Sequence, residues 1–185
     1  MRSCSILAIA VLALAWASFA KAQNPQEGKL PAPEFSGVTE WLNSKPLKLS
    51  DLRGKVVLVH FWAFGCSNCI HDHDKYLKWH DRFKDRQDFV MIGVHTPETQ
   101  PERDLANVRA KVQEVGFRHA IAIDNESKIW AAWRNRWWPS MYLIDRGGNV
   151  RYAWEGELTW NKQQGPRIMS DKIEALLKED TPLAD

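Results

Sequence analysis

The polar and apolar positions of this chain divide it into segments of two kinds. Residues 55–62, "KVVLVHFW", are β-branched and almost continuously apolar, as a central strand covered on both faces should be. Residues 89–95, "FVMIGVH", repeat the pattern. Between them Ile70, Tyr76, Leu77, Trp79 and Phe83 recur at helical spacing and predict an amphipathic helix over about 67–86. A second helix is expected over 102–115, with Leu105, Val108, Val112 and Val115 on one face and Gly116 as its stop. Residues 119–123 read as a short strand and 127–134 as a short helix. Residues 141–145 and 150–154 flank "RGGN" as a hairpin, and a last helix covers 166–178. Upstream, 40–43 and 46–49 suggest a small hairpin, and 50–54 a turn. Three prolines and two glycines mark 23–37 as a flexible or extended lead-in. Alternating strands and helices call for a mixed central sheet with helices on both faces, an α/β domain spanning 38–185.

The first 22 residues have a different character. Arg2 gives a positive start, residues 6–16 are an unbroken apolar run, and Ala20-Lys21-Ala22 matches a cleavage site. The run is shorter than the roughly 18 apolar residues a membrane span needs. A signal peptide cleaved near Ala22 is expected, and with it export, in a bacterium to the periplasm.

Cleavage there changes two counts. It leaves 23 basic residues against 23 acidic ones, so charge gives no reason to expect nucleic acid or an anionic membrane as partner. It also removes Cys4, leaving Cys66 and Cys69 of the three cysteines. In an exported protein one cysteine pair is a structural bridge or a redox site. A two-residue spacing closes so small a loop that little unfolded-state entropy is removed, which favours a working site over a staple.

The pair stands in "WAFGCSNCIHDHD", residues 62–74. The preceding strand and following helix put Cys66 at a helix N-terminus, where free N–H groups and the helix dipole stabilise a thiolate. Cys66 is then the attacking nucleophile, and Cys69, one turn inside, the resolving thiol. His71 and His73 offer a rival chemistry, a copper-binding chaperone using both cysteines and a histidine. Two positions apart on a helix, the histidines point about 200° from each other and do not easily converge with both sulfurs. His73 falls on the apolar stripe and His71 toward solvent. Asp72 and Asp74 are expected to cap the start of the helix. His60 and His95 are expected as core or strand-end residues. Trp137-Trp138-Pro139-Ser140 precedes the strand "MYLID", a place where proline is tolerated.

These features together resemble the thioredoxin superfamily. "FWAFGCSNCI", "VMIGVHTPE" and "IWAAWRNRWWPSMYLIDRGGNVRY" are similar to the exported TlpA/ResA-like group, and most of all to the thioredoxin-like domain of DipZ-type proteins. The resemblance spans about 35–178 and implies a thioredoxin fold and a thiol-disulfide oxidoreductase. It implies a cis Pro139 shaping, with Trp138, a substrate groove beside the cysteines, and a proton-handling carboxyl at Glu98. Thiol- or disulfide-containing protein substrates are expected, with a redox partner such as a membrane electron carrier. No cofactor, no metal and a monomeric state are expected. The chain departs from thioredoxins at Gly65, where they usually have tryptophan, and at Ser67-Asn68, where they have Gly-Pro.

Overall fold

The computed structural model describes residues 26–179; the expected leader, residues 1–22, lies outside them. A seven-stranded mixed sheet organises the chain in the order β1-β7-β6-β3-β4-β5-β2. Its strands are β1 (Gln26–Pro31), β2 (Glu40–Leu42), β3 (Val56–Trp62), β4 (Phe89–His95), β5 (Ala120–Ile123), β6 (Ser140–Ile144) and β7 (Asn149–Glu155). β3, β4 and β5 run parallel, β6 pairs antiparallel with β3, and β7 pairs antiparallel with β6. Every residue of β3 is buried, which explains its unbroken apolar run.

Four helices connect and cover the sheet: α1 (Ser67–Phe83), α2 (Leu105–Val115), α3 (Lys128–Ala132) and α4 (Gly165–Lys178). Side chains of α1, α2 and α4 share one core with Leu58, Trp62, Met141 and Leu143. On the opposite face Ile129 of α3 and Trp133 join Val57, Val59, Phe61, Ile92, Val94 and Ile144. Helices therefore lie on both faces, as the alternating pattern requires. α2 is capped by Asp104, which accepts from the Ala106 N–H, and it stops at Gly116 in the left-handed region.

The upstream segment differs from its expectation. Within the lead-in, Gln26–Pro31 forms β1 and pairs antiparallel with β7. Phe35 stacks on Trp133 and meets Trp41 edge-on, so the chain after β1 lies packed on the second face. The small hairpin does not form. β2 pairs with β5, and Leu49–Leu52 makes a 3-10 turn instead. Proline and glycine content argued for looseness here; distant strand partners and aromatic packing override it.

Candidate active site

β3 ends at Trp62, and a three-residue turn delivers Cys66 to the N-cap of α1. Cys66 and Cys69 are joined as a disulfide, with Cα atoms 5.3 Å apart, inside the range such a bond needs. Their exposures differ: Cys66 keeps 8% and Cys69 none. The Cys69 N–H, free of any helical partner, donates to Cys66 Sγ at 3.2 Å. The backbone thus already directs positive charge at the outer sulfur, as thiolate stabilisation requires.

The Trp138-Pro139 peptide is cis. Pro139 is buried immediately before β6, the strand that pairs with β3, and its carbonyl accepts from the Gly156 N–H at 2.7 Å. Trp138 is half-buried, stacks on Trp130, and donates from Nε1 to the Thr96 carbonyl at 3.1 Å. A cleft of about 250 Å³ opens here, lined by Asn68, Trp137, Trp138, Gly156, Glu157 and Trp160. It brings the dipeptide between the cysteines together with the residues around Pro139. Trp137, Trp160 and Ile70 are among the few large apolar side chains left exposed.

The histidines of the motif part company. His71 points outward, with Nδ1 2.9 Å from Glu157 Oε2 across the mouth of the cleft. His73 is buried against Trp62 and Phe117, and burial, with Lys111 nearby, pulls its pKa down to about 4. Among the described residues no group of three or more His, Cys, Asp or Glu side chains is placed to hold a metal ion.

The carboxyls around the cysteine turn lie in different settings. Glu98 has an exposed side chain, and its carboxyl is pushed up, first by burial and then by the charge of Glu102. Its link to the cysteine turn runs through Glu102, whose Oε2 accepts the Glu98 N–H at 2.8 Å. Asp72 does not cap the helix; Cys66 is the N-cap. Asp72 is fully buried, three residues after Cys69 and so on the same side of α1. One oxygen accepts the Leu158 N–H at 3.0 Å, and the other is buried without a partner. Burial pushes its pKa up to about 7, against the opposing effects of that N–H and Lys75.

Sequence reasoning missed two further residues. Glu102 stood only as the first residue of the expected helix over 102–115, yet it is 1% exposed and accepts from Gly65 N–H at 2.7 Å. A capping box of glutamate three residues after Thr99 was its available signal. His119 faces His60 in the core with Nε2 atoms 2.8 Å apart, a pairing over 59 residues that no local pattern announces. Burial lowers both, His119 to about 3. His95, also fully buried, packs on Trp62 and Phe64 and is lowered to about 4.

A family model, Redoxin, matches residues 26–167. The chain belongs to the redoxin family. This redoxin is 43% identical over 133 residues to Protein DipZ of Mycobacterium bovis, covering 70% of the chain and 19% of DipZ. It therefore spans only a small part of that relative's length. It is 30% identical over 164 residues to the thiol-disulfide oxidoreductase ResA of Bacillus thuringiensis, covering 89% of the chain and 84% of ResA. Among solved structures, a crystal structure of a thioredoxin-like superfamily protein superposes with a TM-score of 0.73 at 26% identity, covering 83% of this chain and 99% of the other. A thiol-disulfide isomerase from Corynebacterium glutamicum gives 0.68 at 28% identity, covering 80% and 98%. The fold is thioredoxin-like, and the redoxin stands with the TlpA/ResA-like group. No helix among its described residues is long and apolar enough to cross a membrane.

Proposed function

We propose that this redoxin is an exported thiol-disulfide oxidoreductase acting on protein thiols or disulfides. The observation that carries the reading is the asymmetry of the pair. One cysteine, at a helix N-terminus beside an aromatic cleft, keeps a small exposed fraction, and the other is fully buried. In the reducing direction the Cys66 thiolate attacks a substrate disulfide, forms a mixed disulfide and expels one substrate thiolate. Cys69, as thiolate, then attacks Cys66 Sγ, expels the second substrate thiolate and closes the 66–69 bond. Two electrons pass to the substrate, and a partner dithiol restores the pair by the reverse exchange. In this reading the partner is a membrane electron carrier.

Cys69 must lose a proton in the second step, in a place without solvent. Asp72, buried one turn beyond it with a pKa near neutrality, can take that proton. Glu98 is the carboxyl nearer solvent, and in this reading it passes protons on. Trp138 and Pro139 form the wall along which an extended substrate lies, and Trp137 and Trp160 offer it apolar contact.

Disulfide reduction of insulin, with dithiol as reductant and with or without chelator, tests the reading. Turnover should be indifferent to chelator and fall by about a thousandfold in Cys66→Ser. Turnover that survives in Cys66→Ser, or tight stoichiometric copper without thiol turnover, would sink it.

A further inference from the structure

We infer that Glu102 is the positioning residue of the Cys66 turn and holds down the acidity of the Cys66 thiol. The inference rests on the redox reading of Cys66 and deepens it. β3 and β4 end side by side, with Trp62 opposite His95, so the loops leaving them are neighbours. One buried carboxylate ties those loops together. Its Oε1 accepts the Gly65 N–H at 2.7 Å. Its Oε2 accepts from Glu98 N–H at 2.8 Å, Thr99 N–H at 2.7 Å and Thr99 Oγ1 at 3.0 Å. All four partners donate, a set that an acceptor-only carboxylate serves and an amide does not.

Gly65 is part of the same device. A Cβ there would lie 2.9 Å from Glu102 Oε1, too close for both to remain. This accounts for glycine where thioredoxins usually carry tryptophan: the space before Cys66 is occupied by a carboxylate. One consequence reaches the sulfur. A negative charge one peptide before Cys66 opposes thiolate formation. It keeps the outer thiol less acidic than its place at a helix N-terminus alone would make it.

Glu102→Gln separates this from a purely architectural role. Its single acceptor oxygen can keep the donors of Glu98 and Thr99 or that of Gly65, not both. The test is alkylation of Cys66 by iodoacetamide in the reduced protein across pH 5–9, followed by mass spectrometry, together with the equilibrium of the pair in glutathione buffers. Glu102→Gln should raise the alkylation rate at pH 6 by about threefold or more and shift the equilibrium toward dithiol by a similar factor. Gly65→Ala, which forces the carboxylate off its donor, should move both readings the same way, and the two substitutions should not be additive. A folded Glu102→Gln with a lowered melting temperature but an unchanged alkylation profile and equilibrium overturns the inference. If Glu102→Gln does not fold, an unchanged profile in Gly65→Ala overturns it. Alkylation needs no turnover, so absence of insulin reduction in the parent chain would count against the proposed function and leave this measurement standing.

Discussion

The two faces of the sheet are built from different materials. Beneath α3 the core is Val57, Val59, Phe61, Ile92, Val94, Ile129, Trp133 and Ile144, apolar and closely aromatic. Its buried carboxyl, Asp124, is held by Thr96 Oγ1 and by the N–H groups of Ile129 and Trp130. Beneath α1 the core is as closed but chemically loaded. His60, Asp72, His73, Tyr76, His95 and His119 are buried there, several with polar atoms lacking any partner. Buried titratable groups cost stability. The first face therefore serves as a rigid platform, while the second carries groups that respond to protons around the cysteine helix.

Substitutions can break that contrast, and the largest effect belongs to the platform. Ile129→Ala should cost about 2–5 kcal/mol in denaturant unfolding, with turnover per folded molecule unchanged within about twofold. A selective loss of turnover would mean the platform also shapes the site. His119→Leu comes next. It leaves His60 buried without its hydrogen bond and should cost about 1–3 kcal/mol, much of it recovered when His60 is also made leucine. The double variant should also resist acid better. The buried histidines have lowered pKa values, so below about 6.5 the unfolded chain binds protons that the folded one refuses, and stability drains away as pH falls toward 3. Equal acid sensitivity in the parent and the double variant would place the lability elsewhere.

Asp72→Asn is the smallest change in stability and the most pointed in pH. Because the folded pKa is raised, the folded state keeps a proton that the unfolded chain has lost between about pH 4 and 7. Stability from this group is present at low pH and lost as pH rises through about 7. The asparagine variant should lack that decline and be more stable at pH 8, on the order of 1–2 kcal/mol. Its rate of closing the mixed disulfide should fall severalfold near neutral pH; an unchanged rate profile argues against Asp72 as the proton acceptor.

Much of this arrangement was legible in the sequence, for a local reason. β3 and β4 announce themselves by nearly continuous apolar runs, α1 by its stripe, and Cys66 by standing between β3 and α1. Their placement follows from periodicity, which lies within a few residues. What stayed hidden depends on distant partners. β2 chose β5 over the nearby segment that became a 3-10 turn. Asp72 carries the formula of a solvated helix residue, and only the approach of Leu158 shows it sealed. Glu102 likewise gains its meaning from Gly65, 37 residues earlier.

β1 and β2 lie at opposite edges of the sheet, and both come from the same early stretch of chain. Gln26 finds Ala153, and Glu40 finds Ile123. During synthesis this stretch emerges long before either partner exists. It can close the edges only after the central strands have formed, which makes the strap from β1 to β2 a late event in folding with high contact order. Until then both sheet edges stand open to other chains, so for a newly made molecule the interval before the strap closes is the time of greatest exposure to aggregation.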